Sequence, residues 1–148
     1  MKYLLLITFS IFSLNLIGQS IDYNLKKGYV AEGYDVVSYF ENKAVEGKKE
    51  FSLTHDGVKF KFSSKTNLEA FKQNPEQYIP QYGGYCAYAV AVKSKKVGID
   101  PETFEIRDGK LYLFYNSWGN NTLETWRENN VKGLQKKADK NWEAIKDF

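Results

Sequence analysis

Two side chains are the strongest candidates for chemistry, because each is the only one of its type in the chain. Cys86 is the single cysteine and His55 the single histidine among 148 residues. Soft and borderline transition metals prefer thiolate and imidazole ligands, and a thiol is also open to stepwise oxidation. The sequence therefore indicates metal binding or redox chemistry at Cys86, with His55 as a second candidate metal ligand.

The residues around Cys86 predict a pocket. Two glycines precede it closely and let the backbone turn tightly or approach a ligand, and the apolar run that follows predicts a buried helix with Cys86 in its first turn. Packing of the aromatic rings in a core, with Cys86 as a small buried hydrophobe, explains the same pattern. The pocket interpretation names as its walls Tyr82, Gly83, Gly84, Tyr85 and Tyr88.

Composition excludes several classes of function. The chain has 21 basic and 18 acidic side chains, which gives no electrostatic footprint for nucleic acid. A lone cysteine excludes an intrachain disulfide, and a lone histidine excludes a multi-histidine zinc site. A nucleophilic catalytic arrangement would depend wholly on His55, so a non-enzymatic role is expected.

The N-terminus has the pattern of a secretory signal. Lys2 is followed by the apolar stretch 4–12, which is too short for a membrane span, and small residues at 18–20 suit a signal peptidase. We therefore expect residues 1–20 to be a signal peptide cut after Ser20, with residues 21–148 as one domain. The mature chain is expected in the periplasm or secreted, without stable membrane insertion.

Two β-hairpins are predicted from the same turn chemistry. Asp56-Gly57 separates the alternating segments 51–55 and 58–62, and Asp108-Gly109 separates 104–107 from 110–114. Asp35 is expected to cap a short helical turn over 36–40, and Ser64 to cap a helix over 65–72.

Further helices are predicted after the first hairpin. Pro75 opens a short one, Asn121 caps another, and residues 131–145 carry an apolar stripe with lysines off it, as on a solvated helix face. The fold class is therefore α+β: a small antiparallel sheet from two hairpins, packed with several short helices and a C-terminal amphipathic helix.

The order of motifs from about residue 30 to 145 resembles the YHS-domain proteins, in particular an exported bacterial branch with selenoprotein members. The resemblance is carried by these segments: 33–40, 55–64, 71–78, 80–87, 108–113 and 138–142. It implies that position 86, where some members of that branch carry selenocysteine, is used for its chalcogen. Where such domains often have a cysteine, this chain has Ser63 and Ser64, which argues against a site with several thiolates.

Three functions remain open at this point. The resemblance favours handling of a soft metal ion, copper first, through Cys86 with help from neighbours or a second chain. A thiol redox or peroxide-responsive protein would use the same cysteine and need an external resolving thiol. A non-catalytic interaction module is the third. The expected partners are accordingly a metal ion or a thiol-bearing protein.

Overall fold

The structure is a computed structural model that describes residues 21–147. The predicted signal peptide lies outside these residues. Eight strands are present: β1 Leu25–Lys26, β2 Tyr29–Val30, β3 Lys48–His55, β4 Val58–Phe62, β5 Asp100–Arg107, β6 Lys110–Phe114, β7 Asn116–Ser117 and β8 Asn120–Asn121. The helices are α1 Lys65–Gln73, α2 Pro75–Tyr78, α3 Ala87–Lys93, α4 Thr122–Glu128 and α5 Val131–Ile145. Short 3-10 turns occupy Ala31–Gly33, Ser38–Glu41 and Gln81–Gly84. The predicted α+β class is confirmed.

Both predicted hairpins form where Asp-Gly turns occur. Strands β3 and β4 pair antiparallel with His55 opposite Val58, and β5 and β6 pair with Arg107 opposite Lys110. The turn residues Asp56 and Gly57 have φ of 48° and 79°, the left-handed values that match the twist of the flanking strands. The first hairpin joins β1 and β2 in a four-stranded sheet of order β1-β2-β4-β3, whose β2–β4 pairing is parallel.

Asp35 ties the first hairpin to the helices beside it. Its carboxylate is fully buried; Oδ1 accepts hydrogen bonds from the backbone N–H groups of Val37 and Ser38. Oδ2 accepts from the backbone N–H and hydroxyl of Ser63 and from the side-chain amide of Asn67. The predicted capping role is therefore present. The hydrogen bonds extend to the start of α1, where Ser63 and Asn67 satisfy the second carboxyl oxygen, Oδ2.

Two apolar clusters share the second hairpin. The N-terminal cluster consists of Tyr23, Val30, Ala31, Val36, Val37, Tyr39, Phe60, Phe62, Phe71, Leu111 and Leu113. The C-terminal cluster consists of Tyr82, Ala87, Val90, Ala91, Tyr112, Phe114, Leu123, Trp126, Leu134, Ala138 and Trp142. Successive residues of a strand point to opposite faces, so β6 sends Leu111 and Leu113 into one cluster and Tyr112 and Phe114 into the other.

The amphipathic stripe predicted on the last helix is buried as expected. Leu134, Ala138 and Trp142 of α5 pack into the C-terminal cluster, while the lysines of this helix lie off that face. Within residues 21–147, no helix combines the length and the apolar character needed to cross a bilayer.

Candidate functional site

Cys86 lies at the boundary between a loop and a helix. It is the N-cap residue of α3, so it precedes the first helical turn in which the sequence placed it. Its backbone N–H donates to the carbonyl oxygen of Val97 at 2.9 Å, and its carbonyl accepts from Val90 at 3.1 Å. These two bonds fix the backbone on both sides, and the side chain is fully buried.

The Cys86 thiol contacts a hydroxyl group. Its Sγ lies 3.3 Å from Oγ1 of Thr122, the first residue of α4. That hydroxyl donates its only proton to the carbonyl oxygen of Tyr115, 2.7 Å away, so in this contact the thiol is the donor. The same carbonyl also accepts from the backbone N–H of Thr122 at 3.0 Å. The Thr122 hydroxyl could therefore turn its proton toward a thiolate without leaving the Tyr115 carbonyl unpaired.

Cys86 and Thr122 form part of the wall of a cavity of about 370 Å³. The helix α3, the loop that follows it and the segment leading into α4 surround this cavity. Lys93 and Asn120 are among the residues that line it. The remaining lining residues are Tyr88, Ala89, Val97 and Tyr115. This volume is at the lower end of the range for small-molecule pockets.

Of the five residues predicted to wall a pocket around the thiol, Tyr88 lines this cavity. Tyr82 and Gly83 line a different cavity, of about 280 Å³, next to Trp142. The Tyr82 hydroxyl donates to Asp139, and the Tyr85 hydroxyl donates to Asp22, each at 2.9 Å. Burial, with the hydrogen bond to Asp22, raises the pKa of Tyr85 to about 12. Tyr82 therefore binds α5, and Tyr85 binds the N-terminal end of the described chain.

The Gly83-Gly84 pair holds the N-terminal segment of the described chain. Asn24 donates from its backbone N–H to the carbonyl oxygen of Gly83 at 2.8 Å and from its side chain to that of Gly84 at 3.1 Å. A Cβ on Gly83 would meet the carbonyl oxygen of Asp22 at 2.3 Å, which no side chain tolerates. Gly83 thus permits a close approach of backbone to backbone.

Glu105 anchors the helix that presents Thr122. Its carboxylate is buried and accepts from Trp126 and Arg127 of α4 and from Arg107 of its own strand, at 2.9 to 3.1 Å. Burial alone would raise the pKa of Glu105, but the hydrogen bonds and charges of the two arginines lower it overall. The ionised carboxylate therefore holds α4 against the second hairpin.

His55 lies at the end of β3, away from the Cys86 cavity. Its ring packs edge-on against Phe71 with centroids 5.6 Å apart and against Phe60 at 6.4 Å, in the N-terminal cluster. Its Nε2 lies 3.4 Å from Oδ2 of Asp56 and 4.0 Å from Oε1 of Glu76. This is the one group of three histidine, cysteine or acidic side chains within residues 21–147 whose atoms could hold a metal ion together.

The two predicted metal ligands are therefore placed in separate sites. Cys86 belongs to no such group in the described part of the chain, and the residues next to each candidate differ completely. Sequence reasoning missed Thr122 and Glu76, because both reach their partners through the tertiary fold. Asp56 is adjacent to His55 in the sequence, but the Asp-Gly pattern predicts only a turn there.

Comparison with known families supports the resemblance. A family model for the YHS domain matches residues 36–82. The matched residues include His55, Asp56 and Glu76 and end four positions before Cys86. No curated protein and no solved structure gives a significant match. YHS domains are often associated with the handling of metals, copper among them.

Proposed function

We propose that this chain is an exported metal-handling protein in which the Cys86 thiolate is a ligand for a soft ion, with copper(I) favoured. The single observation that carries the proposal is the position of Cys86 in the wall of a cavity of about 370 Å³. Thiolate is the softest ligand that the chain offers, and soft ligands select copper(I) among biological metals.

The cavity places a hydroxyl next to the sulfur. Oγ1 of Thr122 lies 3.3 Å from Sγ and can donate to it when a metal ion has replaced the thiol proton. The thiol exposes no surface to water, so an ion would reach it only after the cavity lining shifts. Because the chain has no second cysteine, a further soft ligand would come from outside, as from a small thiol or a donor protein.

Metal analysis tests this proposal directly. Protein without a histidine tag would be loaded with copper(I) under reducing conditions in competition with a coloured copper(I) chelator. We expect one copper per chain in wild type and none retained in Cys86→Ser, with His55→Ala as the matched control that keeps its copper. Equal retention by wild type and Cys86→Ser would refute the role of the thiolate.

Thiol oxidation is the second candidate, because the Cys86 thiol lies in the wall of the same cavity. A hydroperoxide would convert the thiol to a sulfenic acid with release of the alcohol or water, and an external thiol would condense with it to a mixed disulfide and water. Mild peroxide should then add one oxygen mass to wild type and none to Cys86→Ser. An unmodified native wild type would exclude this chemistry, and failure of both candidates would leave an interaction module.

Export rests on the N-terminal pattern alone. We expect the chain from its native cell to begin at or near Ile21, which N-terminal sequencing or intact mass would measure. A chain that still begins at Met1 would contradict export.

A further inference from the structure

We infer that His55, Asp56 and Glu76 form a binding site for a borderline divalent cation of the Zn²⁺ or Cu²⁺ type, separate from Cys86 and independent of it. One imidazole and two carboxylates offer one nitrogen and two oxygen donors. This set suits zinc or copper(II) and lacks the sulfur that copper(I) prefers. The three ligand atoms lie within 4.8 Å of one another.

The imidazole nitrogen provides an observation that points to an absent ligand. Nε2 of His55 is shielded from water and has no hydrogen-bond partner, although the side chain as a whole is 26% exposed. A buried polar atom without a partner is destabilising, and such atoms are uncommon in folded proteins. A cation bound to Nε2 would satisfy the atom that the protein itself leaves unpaired.

Packing fixes the His55 ring, whereas the carboxylates of Asp56 and Glu76 are exposed and can move. Phe60 and Phe71 hold the imidazole by edge-on contacts, so little rotamer freedom remains to be lost on binding. Tetrahedral ligands at zinc bond lengths lie about 3.4 Å apart, which is the present distance from Nε2 to Oδ2 of Asp56. Glu76 is 4.0 Å away and 81% exposed, so its carboxylate can close the remaining gap by rotating.

The three ligands come from the two ends of one supersecondary unit. His55 and Asp56 stand at the turn between β3 and β4, and Glu76 is in α2, which follows α1 after Asn74. A bound ion would therefore bridge the hairpin tip and the short helix. Stabilisation of the folded chain by the ion follows from this bridging, because only folding brings Glu76 to the hairpin tip that carries His55 and Asp56.

Titration of zinc into the untagged protein, residues 21–148, tests the site. At pH 7.5, calorimetry should give one Zn²⁺ per chain, and thermal unfolding should shift upward with zinc concentration. Because His55 is the only histidine, its ring proton signals are identified without assignment and should move on addition of zinc. His55→Ala and Glu76→Gln should each weaken binding at least about tenfold.

The chain provides matched controls. Asp108 occupies the same turn position in the second hairpin as Asp56 in the first, with φ of 51° against 48°. Asp108→Asn should leave zinc affinity unchanged, while Asp56→Asn lowers it. Cys86→Ser should bind zinc as wild type does, so loss of the copper(I) site and loss of this one are separable. Wild-type affinity in Glu76→Gln and Asp56→Asn, or abolished binding in Cys86→Ser, would overturn the assignment.

Discussion

Glu105 illustrates how a single residue links the stability of this chain to pH. Its carboxylate is buried beside Arg107 and Arg127, and it also accepts a hydrogen bond from the indole of Trp126. A carboxyl whose pKa is lower in the folded than in the unfolded chain adds stability above the unfolded pKa, near 4.3. That contribution is lost as the pH falls through the folded pKa.

Replacing this carboxylate should change both the size and the pH dependence of stability. We expect Glu105→Gln to lower the free energy of unfolding by about 2 kcal/mol at pH 7, because the carboxylate accepts three hydrogen bonds from the arginines and one from Trp126, and the amide nitrogen of Gln cannot accept the bonds made to one of the two oxygens. The difference from wild type should shrink as the pH drops below about 4.3. Urea unfolding between pH 3 and 7 measures this.

The exposed Glu50 supplies the control for that experiment. Glu50→Gln should unfold at the same urea concentration as wild type throughout the pH range. A constant deficit of Glu105→Gln at every pH would show that its role is packing and not charge.

At the scale of elements, local turn chemistry was enough to predict most of the fold. Asp-Gly pairs determined both hairpins, and the caps Ser64 and Asn121 begin α1 and α4, because these signals act within a few residues. The candidate site was less predictable. Cys86 and His55 were picked out by type, but their neighbours Thr122 and Glu76 are brought in by packing over distances that no local pattern encodes.

The contacts of the Gly83-Gly84 turn also could not be predicted from local sequence. Its spacing suggested a pocket wall, whereas its carbonyls bind Asn24 and its lack of a side chain admits the backbone of Asp22. We expect Gly83→Ala to lower the free energy of unfolding by more than 2 kcal/mol, because left-handed strain of about 1–2 kcal/mol adds to a clash at 2.3 Å. Chemical denaturation measures the loss.

Gly28 separates the clash from the strain. It also has a positive φ, 82°, but a Cβ there would meet nothing within 4 Å. Gly28→Ala should therefore cost only about 1–2 kcal/mol. Equal losses in the two variants would mean that the N-terminal segment does not lie on Gly83 in solution.

At the scale of the whole molecule, the two clusters are joined through one strand. Most of the YHS-matched segment, residues 36–82, belongs to the N-terminal cluster, whereas Cys86 lies with the elements of the C-terminal one. Strand β6 is covered on both faces, and the residues it sends into the clusters are all buried. The matched segment therefore completes its core with a hairpin from beyond its own boundary, and we expect the Cys86 cavity and the His55 site to belong to one folding unit.

This coupling predicts a single cooperative transition. Leu113 is fully buried in the N-terminal cluster, and truncating it should cost about 3 kcal/mol.

Trp126 and Trp142 lie in the C-terminal cluster and Trp118 is 98% exposed, so tryptophan fluorescence reports no residue of the N-terminal cluster. Leu113→Ala should nevertheless shift the fluorescence transition in urea as far as the transition followed by far-ultraviolet circular dichroism. Phe114→Ala, on the opposite face of the same strand, should do likewise, because both faces unfold together. If Leu113→Ala left the fluorescence midpoint at its wild-type value, the clusters would unfold separately, and the YHS-matched segment would be stable without the Cys86 half of the chain.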